Sequence, residues 1–256
     1  MIHTHAVRFS YPEQPPLFQD FNWDVDRGDR WTILGPSGCG KTSLLYLLAG
    51  LLKPEGGEIK IDGAPLTRPR PRTGLILQDF GLLPWATVLD NARLGRQVWD
   101  FYGPDGTHAP RDAHTEQDVM KWLIRLGIDS LALKYPSQIS GGQRQRTAIA
   151  RTLALRPDLL LMDEPFSALD AVTREDLQSL SLELCTEQSL TLIMVTHAIE
   201  EAAIMGKKVL VLGMPPNRSP RIFQNPGAGS LDYRHSPEYL SMCRTLRLEL
   251  NRETPA

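Results

Sequence analysis

The fold is decided by residues 35–42, which read Gly35-Pro36-Ser37-Gly38-Cys39-Gly40-Lys41-Thr42. The segment fits the pattern G-x-x-x-x-G-K-[ST] at every fixed position. Glycines let successive backbone N–H groups curl around phosphate oxygens, and the helix that follows directs its partial positive charge at the same anion. Lys41 adds a full charge for the outer phosphates, and the Thr42 hydroxyl is an oxygen ligand suited to Mg²⁺. The stretch, extended to Ser43, predicts a nucleotide-binding loop between a strand and a helix.

Short apolar runs alternate with helical segments along most of the chain, which is typical of a mainly parallel sheet covered by helices. Continuous apolar runs suit strands that are buried on both faces. We predict strands at Thr4–Phe9, Arg30–Leu34, Glu58–Ile61, Gly74–Leu77, Leu159–Met162, Leu190–Thr196 and Lys208–Leu212. We predict helices at Lys41–Leu52, Val88–Trp99, Thr115–Leu126, Gly141–Leu155, Val172–Glu187 and Ile199–Met205. The polar, proline-broken early segment favours a small antiparallel sheet at the N-terminus.

The strand pattern disappears between Thr87 and Ile139, so this block is interpreted as a helical insertion in an α/β domain. It contains a loop at Gly103–His114 and a capping-box pattern at Thr115-x-x-Asp118. The irregular stretch Gly213–Gly229 ends the α/β part, and Ser236-Pro237 predicts the start of a last helix whose apolar stripe packs on the core. The predicted domains are an α/β core (1–86 and 147–213), a helical subdomain (87–146) and a C-terminal loop and helix (214–256).

Composition narrows the class of protein further. The chain has 256 residues and a formal net charge of −2, which argues against bulk attraction to nucleic acid, and we expect no nucleic-acid partner. No apolar run approaches the roughly 20 residues of a membrane-spanning helix, so we expect a soluble protein. The first residues show no secretion signal, and the three widely spaced cysteines indicate a reduced intracellular setting.

Two carboxylates, Asp163 and Glu164, follow the apolar run Leu159–Met162. Ligands of open α/β sheets bind at the carboxyl ends of the strands, so this position suits a site. Asp163 can hold Mg²⁺, and Glu164 can polarise a water for attack on the outermost phosphate. Acids at strand ends are often ordinary caps, but the nearby phosphate-loop pattern favours the catalytic interpretation.

A resemblance becomes specific at Ser140-Gly141-Gly142-Gln143, which Ile139 precedes and Arg144-Gln145-Arg146 follows. This segment is similar to the signature motif of ATP-binding cassette (ABC) ATPases, in which Leu is usual at the position of Ile139. The resemblance implies a P-loop NTPase fold with a RecA-like core, an N-terminal antiparallel β subdomain and an inserted α-helical subdomain. It also implies that ATP and Mg²⁺ bind between two copies, with the signature of one copy closing on the phosphate loop of the other.

Further positions match the same family one by one. Tyr11 resembles the aromatic residue that stacks on adenine, and Gln78 resembles the Q-loop glutamine that reaches Mg²⁺ and the attacking water. Asp170, in Ser167-Ala168-Leu169-Asp170, resembles the D-loop aspartate at the dimer interface. His197 resembles the switch histidine that contacts the γ-phosphate. The resemblance thus implies Glu164, His197, Gln78 and Lys41 as catalytic residues and Thr42, Gln78 and Asp163 as magnesium ligands.

The segment after Gln78 points to a transport role. Leu82-Leu83-Pro84-Trp85 resembles importer cassettes of the nitrate, sulfonate and taurine group, in which this region docks on a separate membrane permease. The resemblance implies an ATPase that powers import of a small solute, with an extracytoplasmic solute-binding protein as an indirect partner. It also implies a peripheral location on the cytoplasmic face of the membrane. The alternative is a single-cassette ATPase that acts in cofactor assembly or another non-transport process.

Overall fold

The computed structural model describes residues 1–102 and 117–253. The described elements are, in chain order, β1 (Ile2–Phe9), β2 (Phe18–Val25), β3 (Arg30–Leu34), α1 (Lys41–Leu48), β4 (Gly56–Ile61), β5 (Ala64–Pro65), β6 (Thr73–Ile76), α2 (Val88–Tyr102), α3 (Gln117–Arg125), α4 (Gly141–Leu153), β7 (Leu159–Asp163), α5 (Ala171–Glu187), β8 (Thr191–Val195), α6 (Ile199–Met205), β9 (Lys208–Val211), β10 (Arg221–Gln224) and α7 (Pro237–Glu253). Short 3₁₀ turns lie at Asp129–Leu131, Pro136–Gln138 and Leu231–His235.

The chain divides into two compact units. The first contains Met1–Pro69 and the chain from Ser181 onward, and the second contains Arg70–Leu180. The first unit holds an antiparallel sheet in the order β2-β1-β4-β5. It also holds β10-β9-β3-β8, in which β3 pairs in parallel with both β8 and β9 while β10 is antiparallel.

Apolar side chains explain why these strands form where they do. β3 and β8 are mainly apolar and buried along their full length, as strands covered on both faces should be. β2 instead alternates, with Phe21, Trp23 and Val25 buried and their neighbours exposed, so one face of the antiparallel sheet meets the core. The rings of Trp23 and Trp31 meet edge to face at 5.1 Å between centroids.

The second unit carries the helical segment. β6 and β7 pair in parallel, and the described residues between them form α2, α3 and α4 with two 3₁₀ turns and no strand. The predicted helical insertion is therefore found in the described residues. The predicted loop Gly103–His114 and the predicted cap at Thr115 lie outside them.

Most predicted elements are present, with ends that move by a few residues. α1 ends at Leu48 rather than Leu52, because Gly50 adopts the left-handed conformation at φ +74 and stops the helix. Three strands were not among those predicted: β2, β5 and β10. β2 follows the proline-broken segment, β5 has only two residues, and β10 lies inside the stretch Gly213–Gly229 that was interpreted as irregular.

The apolar stripe of α7 packs as predicted. Leu246 is fully buried in a cluster with Leu34 and Val211, and Met242 and Leu250 pack against that cluster. Ser236 caps the helix, since its Oγ accepts a hydrogen bond from the Tyr239 N–H at 3.1 Å. Within residues 1–102 and 117–253, no helix combines the length and apolarity needed to cross a membrane.

Candidate nucleotide-binding and hydrolysis site

The loop at residues 35–42 follows β3 and has the backbone of an anion cradle. Gly38 and Gly40 have φ angles of +78° and +102°, values that side-chain-bearing residues rarely adopt. A Cβ added at Gly38 would meet no atom within 4 Å, so the backbone there faces open space. Among the described residues, no side chain caps the start of α1. The loop therefore directs backbone N–H groups toward a space of the kind a phosphate fills.

Lys41 lies inside this loop. Its side chain is 8% exposed, and its Nζ donates to the carbonyl oxygens of Gly35 and Pro36, each at 2.9 Å. An ammonium group has three donors, so one N–H remains for a phosphate oxygen. The loop thus holds a cation at its centre and keeps it in place with its own carbonyls.

Cys39 fills the underside of the loop. Its side chain is fully buried, and a Cβ added at Gly35 would lie 2.7 Å from its Sγ and 2.7 Å from the carbonyl oxygen of Leu212. Burial raises the pKa of the Cys39 thiol, although the charge of Lys41 opposes the shift. The thiol is neutral at physiological pH and acts as packing, which explains why Gly35 must be a glycine.

Asn217 supports the same loop from a distant part of the chain. Its Nδ2 donates to the carbonyl of Cys39 at 2.9 Å, and its Oδ1 accepts from the Gly213 N–H at 3.0 Å. Its backbone N–H and C=O pair with Leu17 and Gln19. This buried side chain was missed in the sequence, because an asparagine in a proline-containing loop gives no signal of a contact nearly 180 residues away.

His197 and Tyr11 lie in the same unit as the loop. Ile33 of β3 pairs with Val195 of β8. Gly35 lies two residues after Ile33 and His197 two residues after Val195, so both lie at the carboxyl edge of these two strands. His197 is exposed there. The hydroxyl of Tyr11 lies 3.1 Å from Ser43 Oγ, which places the aromatic residue beside the start of α1.

The second unit brings Gln78 close in register to the acidic pair. Ile76 of β6 pairs with Met162 of β7. Gln78 therefore lies two positions after the end of β6, while Asp163 is the last residue of β7 and Glu164 follows it. Gln78 is exposed, Asp163 is buried, and Glu164 is half-buried. Glu164 has a φ of +43°, a left-handed conformation that costs a non-glycine residue about 1 kcal/mol or more and often marks a functional position.

The signature segment is capped by its own side chains, and packing requires a glycine at Gly142. Ser140 Oγ accepts from the Gln143 N–H at 3.3 Å, and Gln143 Oε1 accepts from the Ser140 N–H at 2.9 Å, which forms a complete capping box at the start of α4. A Cβ at Gly142 would lie 2.4 Å from Thr173 Cγ2, so α4 approaches the start of α5 closely.

Asp170 lies at that same start of α5. It is exposed, and its Oδ1 accepts from the Thr173 N–H at 3.0 Å. Hydrogen bonds from Thr173 lower the pKa of the Asp170 carboxyl. The signature segment and the predicted D-loop are therefore neighbours within the second unit.

The parallel strands, the phosphate loop and the helix that follows it define a P-loop nucleoside triphosphatase. The sequence profile described as ABC transporter matches residues 18–167. The chain is 39% identical over 220 residues to the taurine import ATP-binding protein TauB of Pseudomonas aeruginosa, covering 85% of this chain and 80% of that protein. It is 37% identical over 209 residues to the aliphatic sulfonates import ATP-binding protein SsuB of Bacillus cereus, covering 82% and 78%.

Solved structures agree with this assignment. The dimeric bacterial ABC transporter cassette MJ0796 superposes with a TM-score of 0.74 at 30% identity, covering 88% of this chain and 98% of that one. A post-hydrolysis state of MJ0796 bound to ADP and Pi gives the same TM-score at 28% identity. The chain belongs to the ABC transporter family, and it is an ATPase cassette of that family.

Proposed function

We propose that this chain is the ATP-hydrolysing subunit of an importer for a small solute of the nitrate, sulfonate or taurine class. The observation that carries the proposal is the likeness to taurine and sulfonate import ATP-binding proteins over about four fifths of their own length. The energy source is ATP, bound by the loop at residues 35–42 with Ser43, and Tyr11 stacks on the adenine ring.

The charges and donors of the site support a direct attack of water on the γ-phosphate. Glu164 serves as general base and takes the proton of the attacking water, which Gln78 orients. Lys41 and His197 stabilise the charge that develops on the γ-phosphate oxygens. Thr42, Gln78 and Asp163 offer the oxygen donors that Mg²⁺ prefers, and the ion would neutralise phosphate charge there.

A second copy of the chain completes the site in this proposal. Ser140, Gly141, Gly142 and Gln143 of one copy face the γ-phosphate held by the other, and Asp170 lies at the interface between the copies. The exposure of Ser140 and Asp170 supports this role, because both side chains are accessible to a partner. Hydrolysis then lets the two copies separate again.

The docking loop, Leu82–Trp85, is the proposed contact with the permease. Trp85 is 73% exposed, so a large apolar side chain faces solvent where its burial would be favourable. The fully buried Asn91 holds the loop, since its Nδ2 lies 3.0–3.1 Å from the carbonyl oxygens of Leu83, Ala86 and Thr87, and its Oδ1 accepts from the Leu83 N–H at 2.8 Å. A loop fixed from below by buried hydrogen bonds presents its tryptophan to a partner with little loss of entropy.

The remaining partners and the domain plan follow from this role. The permease would bring the chain to the cytoplasmic face of the membrane, and a solute-binding protein would act outside the membrane. Residues 87–146 would serve as the helical subdomain that turns with the permease, while 1–86 and 147–213 form the catalytic core and 214–256 the tail.

Co-purification from detergent-solubilised membranes tests the proposal. We expect an integral-membrane protein to accompany the wild-type chain, and Trp85→Ala to reduce its recovery because the substitution removes most of the exposed apolar contact. Leu240→Ala is the matched control, since Leu240 is 66% exposed but lies on α7. Recovery of a soluble scaffold in place of a membrane protein would support the cofactor-assembly alternative instead.

A further inference from the structure

Arg151, near the end of α4, contacts a turn that lies directly after Gln78. Its Nη1 donates to the carbonyl of Gly81 at 2.5 Å, and its Nη2 donates to the carbonyl of Phe80 at 2.8 Å. Burial lowers the pKa of the guanidinium, and Asp79 opposes that shift by its negative charge. One planar cation therefore binds two successive carbonyls, a geometry that a guanidinium can satisfy and an ammonium cannot match.

The turn that Arg151 holds has an unfavourable backbone. Phe80 and Gly81 both have positive φ angles, +67° and +56°. For a residue as bulky as Phe80 this conformation is an outlier that the surroundings must impose. Arg144, also on α4, places its guanidinium over the Phe80 ring at 5.8 Å from the centroid. Two arginines of one helix thus fix a single strained turn.

The same arginine also marks the place where α2 meets α4. A Cβ added at Gly95 of α2 would lie 2.0 Å from the Arg151 carbonyl oxygen, so the two helix backbones touch there. α2 begins directly after the docking loop and carries Asn91, which holds that loop. The turn after Gln78, the helix behind the docking loop and the signature helix therefore converge on Arg151, all within the second unit.

We propose that Arg151, aided by Arg144, is a positioning residue that transmits the state of the docking loop to the signature segment at the start of α4. The inference rests on the proposed function, because it assumes that a permease contacts Leu82–Trp85. A movement of the docking loop must move the Phe80–Gly81 carbonyls or α2, and both are bound to the one helix that carries Ser140–Gln143. Arg151 touches neither nucleotide nor water in this scheme.

The test compares ATP hydrolysis with and without the membrane protein that co-purifies with the wild-type chain. Arg151→Lys keeps the charge but cannot bind both carbonyls in the same plane. We expect it to lower the permease-stimulated rate about tenfold while ATP affinity and the unstimulated rate stay within about twofold. Arg146→Lys is the matched control: Arg146 lies on the same helix and donates to a carbonyl, that of Leu126 at 2.7 Å, at the end of α3.

A second variant keeps the test decisive if Arg151→Lys folds poorly. Gly81→Ala alters the turn from the other side, because its φ is positive and the added Cβ would lie 3.2 Å from Leu77 Cδ1. We expect the same loss of stimulation, and no further loss when the two substitutions are combined.

Several outcomes would overturn the inference. Stimulation of Arg151→Lys equal to that of the wild type would show that the two hydrogen bonds transmit nothing. Equal losses in the stimulated and unstimulated rates, together with a lower unfolding midpoint, would show that Arg151 stabilises the fold and does not transmit the state of the docking loop. A wild-type chain that no membrane protein binds or stimulates would refute the proposed function, and this inference with it.

Discussion

The two glycine-containing helix starts of this protein are built in opposite ways. α1 begins after Gly40, which has a left-handed φ of +102°, and no described side chain caps its first turn. α4 begins after Ser140, which has extended backbone, and Ser140 and Gln143 satisfy each other's N–H groups. The first start has no side-chain cap among the described residues, while the second has two of its N–H groups satisfied by its own side chains.

From this difference we expect the start of α1 to determine ATP binding and the start of α4 to determine ATP turnover. The loop before α1 offers backbone N–H groups of its glycine-containing turn to an anion, so nucleotide affinity should reside there. The start of α4 needs no ligand for its own stability, so its contribution should appear only when it meets a nucleotide bound elsewhere. Substitutions at the two helix starts should therefore change different quantities.

The largest effects are expected from alanine at one glycine of each start. Gly38→Ala forces a methyl group into the phosphate cradle at a positive φ, and we expect ATP affinity to fall about tenfold to a hundredfold. Gly142→Ala drives a Cβ to 2.4 Å from Thr173 Cγ2, and we expect kcat to fall by a similar factor with ATP affinity unchanged. Nucleotide titration measures the ATP affinity, and phosphate release measures kcat. If both variants lost the same one of these quantities, the two helix starts would not have separate roles.

A smaller effect is expected where Asn217 supports the phosphate loop. Asn217→Ala leaves the Gly213 N–H and the Cys39 carbonyl without this partner, which costs about 1–3 kcal/mol. We expect weaker ATP binding together with a lower free energy of unfolding, both measurable on the purified chain. Arg218→Ala is the control, because among the described residues Arg218 makes a single, exposed hydrogen bond to Gln19. An equal loss of ATP affinity in this control would show that Asn217 has no specific role.

The smallest effect is expected at Asp170, which caps α5 beside the signature segment. Its pKa in the folded state is lowered from the ordinary value of 3.8 by hydrogen bonds from Thr173. The stabilisation is therefore present above about pH 4 and is lost as the pH falls through the lowered pKa. Unfolding midpoints of the wild type and Asp170→Asn should differ slightly at pH 7, and the difference should shrink as the pH falls below 3.8 through the lowered pKa; a difference that did not change with pH would show that the charge is not responsible.

Local patterns made much of this architecture predictable. The motif at residues 35–42 places the start of α1 at Lys41, and the apolar run before Asp163 places β7, because both depend on residues close in sequence. β2 was not predicted, although Phe21, Trp23 and Val25 alternate as in an amphipathic strand, because prolines, which are rare inside strands, lie just before it.

Long-range supports could not be predicted from such patterns. Asn217 reaches Cys39, and Arg151 reaches Phe80 and Gly81, across distances in sequence that no periodicity records. β10 forms within a glycine- and proline-containing stretch because β9 offers it an edge to pair with. These contacts depend on the assembled fold, which is why the residues that hold the candidate site are harder to find than those that compose it.

ATP-dependent dimerisation of the Glu164→Gln chain tests the central claim most directly. Without the general base, bound ATP should persist, and sedimentation should show a dimer with ATP and Mg²⁺ but a monomer with ADP. In the same background, Gly142→Ala should bind ATP as tightly and remain a monomer. Normal ATP turnover by Glu164→Gln, or a Gly142→Ala chain that dimerises as well as its parent, would contradict the account.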